Sequence, residues 1–178
     1  MSTKKTSIWF IINPISGTRR KKKIPTLIRK YLNHDKFTYK LFYTQYKGHA
    51  GEITRDAVAK EIEIVCAVGG DGSAHEVGVN LIHTDSKLAI IPRGSGNGIS
   101  NHMGIPNRTI RAIRCLNKCF SISVDTVAVN NSHFLGIGGY GINAFIAKKF
   151  DRNKKRGLKT YIKHTVKEFY KFKPIQVE

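Results

Sequence analysis

Three short segments gather glycine, hydroxyl, carboxylate and cationic side chains in a pattern suited to holding phosphate. They are Asn13-Pro14-Ile15-Ser16-Gly17, Gly69-Gly70-Asp71-Gly72-Ser73 and Pro92-Arg93-Gly94-Ser95-Gly96-Asn97. Consecutive glycines remove the Cβ atoms that keep an anion off the backbone, and they permit positive φ. Amides at a turn or helix start then become donors to that anion. Asp71 would repel phosphate, so its position makes sense if it holds Mg²⁺ or accepts from a hydroxyl. Arg93 and Ser95 add a cation and a hydroxyl. Each segment alone has a plain structural reading: a strand end for the first, a tight strand–helix turn with Asp71 as a cap for the second, an ordinary glycine turn for the third. Their recurrence carries the argument.

The surrounding pattern is that of alternating strands and helices. Residues 7–12 are apolar, β-branched and aromatic, as a buried strand requires. Residues 24–32 space their apolar side chains helically, 37–43 alternate as a strand, and 50–60 read as a helix. Residues 62–68 form another strand. Ser73 with Glu76 three residues on has capping-box spacing and predicts a helix from there to Ile82. A strand over 88–91 and a helix over 109–116 follow. This alternation predicts an α/β fold, a parallel sheet with helices on both faces. In such sheets ligands sit beyond the carboxyl ends of the strands, where all three glycine segments fall. After residue 121 the rhythm changes. Strands over 122–129 and 134–137, joined at Asn130-Asn131, predict a hairpin. Basic helical stretches over 142–150 and 158–172 come next. A boundary near residue 120 divides the chain into 1–120 and 121–178, the latter the incomplete start of a second, β-containing domain.

The chain has 178 residues and carries 31 Lys+Arg against 12 Asp+Glu, a formal net charge of +19. Residues 19–40 hold nine basic side chains and one acid, and residues 148–178 hold eleven and three. Such a field favours a polyanionic partner. An odd count of three cysteines excludes a closed disulfide framework and suits a reducing compartment. No apolar run reaches membrane-spanning length. The expectation is a soluble, cytoplasmic protein with peripheral association at an anionic membrane. The seven histidines have no paired metal-ligand spacing, and Cys66 and Trp9 read as core residues.

At these residues the chain resembles the diacylglycerol kinase catalytic-domain family of lipid kinases. The matches run in order: Asn13-Pro14-x-Ser16-Gly17, Thr44 with Gly48-His49-Ala50, Gly69-Gly70-Asp71-Gly72-Ser73 with Glu76-Val77, and Pro92-x-Gly94-Ser95-Gly96-Asn97. Gly-Gly-Asp-Gly is shared with NAD kinases and phosphofructokinases, and the other elements narrow the likeness to the lipid kinases. The resemblance implies an ATP- and Mg²⁺-dependent kinase that phosphorylates a lipid hydroxyl, with the nucleotide-binding part in 1–120 and the lipid side beginning in 121–178. It implies ATP held at Ser16, Gly17, Thr44, the segment Gly69, Gly70, Asp71, Gly72, Ser73, Ala74 and His75, and Ser95, with Glu76 supporting the loop or reaching the ribose. Asn13, Arg93, Gly94, Gly96 and Asn97 of the same segments complete the candidate nucleotide-binding set. Asp71 would serve the metal–phosphate region and the acceptor hydroxyl. A homodimer is compatible with this reading. An NAD kinase-like enzyme and a basic nucleic-acid-binding module are the alternatives. The first does not account for the Asn-Pro-x-Ser-Gly and Gly-His-Ala turns, and the second leaves the glycine segments idle.

Overall fold

The computed structural model describes residues 4–14, 23–130 and 132–136. Four parallel strands make one sheet: β1 (Thr6–Ile12), β2 (Phe37–Tyr43), β3 (Ile64–Gly69) and β4 (Lys87–Pro92), in the order β2-β1-β3-β4. The connecting helices are α1 (Ile24–Tyr31), α2 (His49–Ala59) and α3 (Asp71–Gly78), followed by α4 (Gly98–His102) and α5 (Thr109–Leu116). A separate antiparallel pair, β5 (Val127–Val129) and β6 (Ser132–Phe134), closes the described chain.

The central strands are apolar on both sides because both sides are covered. Ile8, Phe10 and Ile12 of β1 pack with Ile24 and Ile28 of α1 and with Ala112 and Ile113 of α5. The intervening Trp9 and Ile11 pack on the opposite face with Ala50, Ile53 and Ala57 of α2 and Ala74 and Val77 of α3. Cys66 lies wholly in the first layer, and its burial pushes the thiol well above the usual range. Trp9 stacks on Phe42 with ring centroids 4.3 Å apart. The chain leaves β1 toward β2 on one side and returns to β3 on the other. The carboxyl ends of β1 and β3 therefore flank the crevice that such a reversal opens.

Several expectations need correction. Helix α3 begins at Asp71 and ends at Gly78, with Gly70 at its N-cap and no capping side chain. Ser73 is inside the first turn, its amide donating to the Gly70 carbonyl at 3.0 Å. The Gly69-Gly70 bend starts the helix before the serine, which displaces the capping box. Helix α4 was not expected from the sequence. Strand β5 covers only the last three residues of the expected 122–129, and 121–126 have no regular structure. The turn forms where expected, with Asn130 at φ 51° and Val129 paired with Ser132. Ile137 and the helical stretches 142–150 and 158–172 lie outside the described residues. Among the described residues no helix is long and apolar enough to cross a membrane.

At the amino end of the sheet, Glu63 accepts from both the amide and the hydroxyl of Ser7 at 2.6 Å, linking the starts of β1 and β3. These bonds, the hydroxyl's first, hold the Glu63 carboxyl below its ordinary value. A depressed folded-state pKa contributes stability that is present above the unfolded glutamate's pKa, about 4.3, and lost as the pH falls through the folded value. Glu63→Gln should therefore flatten the acid limb of a denaturant-midpoint-versus-pH curve, leaving less difference from wild type below that window than at neutral pH.

Candidate nucleotide site at the carboxyl edge of the sheet

The loops after β1, β3 and β4 are tied to one another by direct contacts. The Asn13 amide donates to the Val68 carbonyl at 3.2 Å, and its side-chain Nδ2 lies 3.4 Å from Ser73 Oγ in the first turn of α3. The Thr44 amide donates to the Ile12 carbonyl at 3.0 Å, which sets the end of β2 beside the end of β1. The Arg93 amide donates to the Gly69 carbonyl at 2.6 Å. Next to it the two glycine loops touch backbone to backbone: a Cβ on Gly94 would stand 2.5 Å from the Gly70 Cα. Real Cβ atoms do not approach backbone so closely, so glycine at 94 follows from the packing of two main chains.

Asp71 spans the second and third loops. Its Oδ1 accepts from the Ile99 amide at 2.9 Å, in the first turn of α4, while Oδ2 has no hydrogen-bond partner among the described residues. Gly96 and Gly98 line the same carboxylate, with their Cβ positions 3.4 and 3.8 Å from its oxygens. The Asp71 and Gly72 amides, first in α3, have no partner among the described residues. Among the described residues a Cβ on Gly72 would meet nothing within 4 Å, so that side of the first turn of α3 is uncrowded there. Helix α3 thus directs free donors and the positive end of its dipole past Asp71.

The third loop is held by an asparagine network. Asn97, in the left-handed region at φ 53°, accepts from the Gly94 amide at 2.8 Å and donates to the Gly94 carbonyl at 3.2 Å and to Asn107 at 3.0 Å. Asn107 donates to Asn101 at 2.6 Å, and Asn101 donates to the Gly96 carbonyl at 3.1 Å. Asn101 and Asn107 were not among the sequence candidates. Their signal is visible in retrospect as two more asparagines within ten residues of Asn97. The Arg93 guanidinium reaches Thr109 Oγ1 at 3.4 Å, and its buried Nε has no partner among the described residues.

Glu76 turns away from its expected capping partner. Its Oε1 accepts from the Gly51 amide at 3.2 Å, so the carboxylate links α3 to the start of α2. That start is the Gly48-His49-Ala50 turn, where Gly48 adopts φ 97° and His49 accepts from the Gln45 amide and stacks on Tyr46 at 4.7 Å. Tyr46 donates to Glu52 at 2.6 Å, which raises the phenol's pKa. Ala74 belongs to the core, His75 is half-buried on α3, and Ser95 is exposed on the third loop. Ser16 and Gly17 lie outside the described residues. The structure therefore brings Asn13, Thr44, Gly69 to Ser73, and Arg93 to Asn97 to one edge, with Glu76 and Asn97 turned to holding loops. Among the described residues no three His, Cys, Asp or Glu side chains form a metal cluster.

The sheet is open and parallel, with the loops after β1 and β3 flanking its strand-order reversal and the loops after β3 and β4 in contact, the edge at which such sheets bind ligands. The diacylglycerol kinase catalytic domain matches residues 7–129, and the chain belongs to that family. A Synechocystis protein named only as uncharacterized is 29% identical over 158 residues, 83% of this chain and 36% of its own length. The Bacillus subtilis diacylglycerol kinase is 28% identical over 134 residues, 74% of this chain and 44% of its own. The Saccharomyces cerevisiae sphingoid long chain base kinase 5 is 30% identical over 137 residues, 72% of this chain and 20% of its own. A crystal structure of a diacylglycerol kinase from Bacillus anthracis Sterne superposes with a TM-score of 0.66 at 23% identity, over 84% of this chain and 54% of that one, and it bears on the fold alone. The chain spans less than half the length of these three curated relatives.

The two loop glycines should respond oppositely to alanine. Gly94→Ala forces apart two main chains and should cost roughly 1–3 kcal/mol, as overpacking does. Gly72→Ala adds a methyl group to open space in a helical turn and should be neutral or stabilising by up to about 1 kcal/mol. Urea melts of both variants check the contrast.

Proposed function

We propose that the chain carries the nucleotide-binding part of an ATP- and Mg²⁺-dependent lipid kinase, which moves the γ-phosphoryl group of ATP to a hydroxyl of a diacylglycerol- or sphingoid-type lipid. The supporting observation is the junction of the Gly69–Gly72 and Arg93–Gly96 loops around a carboxylate with one committed and one uncommitted oxygen. On this reading residues 1–120 hold the nucleotide, and 121–178 begin the lipid-binding side.

The residues fit a phosphate–metal ligand. The unpartnered Asp71 and Gly72 amides and the uncrowded side of the first turn at Gly72 suit an anion. The buried Arg93 Nε is a further donor without an acceptor among the described residues. Mg²⁺ is commonly held by one or two carboxylates together with substrate phosphates, and Asp71 Oδ2 provides one. When bound, ATP and Mg²⁺ supply the phosphoryl group and the neutralisation of its charge. Asn13, Ser16, Gly17, Thr44, Ser73 and Ser95 would add hydrogen bonds around the nucleotide. Asp71 is the residue assigned to the metal region and to accepting the proton of the acceptor hydroxyl. Ile99 fixes that carboxylate, so its free oxygen is oriented before ligand arrives. The net charge of +19 would favour an anionic membrane as the place where lipid is met.

Asp71→Asn separates the fold from the ligand chemistry. Asparagine keeps an acceptor for the Ile99 amide, so the ligand-free melting temperature should stay near wild type. Mg²⁺–ATP should raise the wild-type melting temperature, by an amount equivalent to about 2.7 kcal/mol at a hundredfold excess over Kd, and the variant should lose most of that gain. Without Mg²⁺ the variant should bind ATP at least as well as wild type, because the carboxylate's repulsion is gone. Equal Mg²⁺–ATP stabilisation of both proteins would remove Asp71 from this role. Phosphorylation of NAD in place of lipid would overturn the acceptor class.

A further inference from the structure

The two helical layers differ sharply in charge. On the α1/α5 side, residues 23–32 and 108–119 contain seven cations and no carboxylate. All seven are exposed: Lys23, Arg29 and Lys30 at α1, and Arg108, Arg111, Arg114 and Lys118 at α5. On the opposite side, α2 and α3 carry Glu52, Asp56, Asp71 and Glu76, and the α2 cations are engaged, Lys60 with Asp56 at 2.6 Å beyond the end of the helix and Arg55 with Asn80 at 2.8 Å.

Local helix electrostatics account for only part of this. Arg29, Lys30 and Arg114 lie in last turns, where cations favour the helix dipole. Arg108 and Arg111 stand at the cap and in the first turn of α5, where the dipole disfavours them. The two helices are also neighbours. Asn117, just after α5, donates to the Tyr31 carbonyl at 2.8 Å and accepts from the Asn33 amide at 2.9 Å. Lys30 and Arg114 each approach the Tyr31 ring, 5.6 Å from its centroid. The cations of α1 and α5 therefore form one surface on which neither helix places a carboxylate, Asp35 in the turn after α1 being the nearest acid in the sequence, and each cation raises the cost of the others.

We propose that the α1/α5 face is the surface by which this protein lies on an anionic phospholipid membrane. The proposal rests on the lipid-kinase reading for its choice of partner. It is also favoured by the composition of the face: cations set around a tyrosine on a helix layer, the pairing of side chains found at membrane interfaces.

The test uses the full chain, sedimented with vesicles of phosphatidylcholine alone or mixed with phosphatidylglycerol, over a salt series. Wild type should partition only onto the mixed vesicles, and less as salt rises. Arg111→Gln with Arg114→Gln, and separately Arg29→Gln with Lys30→Gln, should each lower partitioning on the order of tenfold or more, at about fivefold per cation. Arg55→Gln with Lys60→Gln, on the α2 side of the sheet, should lower it much less. Mg²⁺–ATP thermal stabilisation, measured on the same proteins, reports folding and keeps the two readings separable: variants that lose vesicles but keep nucleotide support the face, whatever the identity of the acceptor. Equal losses in all three pairs, or partitioning indifferent to phosphatidylglycerol, would overturn the proposal. Duplex DNA displacing the vesicles with the same variant pattern would also overturn it and make nucleic acid the partner.

Discussion

The approach of Gly70 to Gly94 is the constraint on which the site depends. Two main chains in contact leave no room for a side chain at position 94, and that contact fixes the spacing of the loops after β3 and β4. The bond between the Arg93 amide and the Gly69 carbonyl lies beside it, so the loops continue the sheet's own hydrogen bonding for one step beyond the strands. Asp71 and Ile99 then close the gap from above. Widening this junction would move the carboxylate, the start of α3 and the start of α4 together.

Within the junction, Asp71 does two things with two oxygens. A lone carboxylate beside unpaired amides is electrostatically tolerable because it sits close to the positive ends of short helices. The committed oxygen anchors α4, and the uncommitted one lies against Gly96. Holding a charged side chain in place through one oxygen costs less than ordering it at the moment of binding, since its rotamer freedom is already lost in the fold.

The parts of the fold legible in the sequence are those set by local periodicity. The apolar run of β1, the alternation of β2 and the helical spacing of α1 each reflect which faces are covered, and those patterns exist in the chain before it folds. Gly70 and Gly94 were legible for a similar reason, because backbone that must approach backbone requires glycine. What escaped was long-range polar chemistry. Ser73 and Glu76 have the spacing of a capping box, yet the Glu76 carboxylate finds the Gly51 amide, 25 positions earlier in the chain. Asn101 and Asn107 carry no periodic signature, and their role emerges only once the loop between Gly94 and Gly98 has taken shape. Helix α4 is too short for its spacing to register, and its first turn is capped by Asp71 from a distant segment.

The division of labour between the two faces of the sheet follows from the same topology. Glu76 must reach α2 and Asn13 must reach α3, so the layer holding α2 and α3 carries carboxylates and amides bonded to neighbouring segments. A strong positive field there would compete for Glu76 and Asp71 and loosen the loops they hold. The α1/α5 layer is tied by the uncharged amide of Asn117, bonded to Tyr31 and Asn33; it contributes Ile24, Ile28, Ala112 and Ile113 to the core, and its outward positions are free to differ. Excess positive charge can accumulate on that side at the least cost to the site, separated from the carboxylates by the thickness of the sheet. The placement of α1 and α5 together, which begins as a way to cover Ile8, Phe10 and Ile12, thereby also gathers the cations into a single surface.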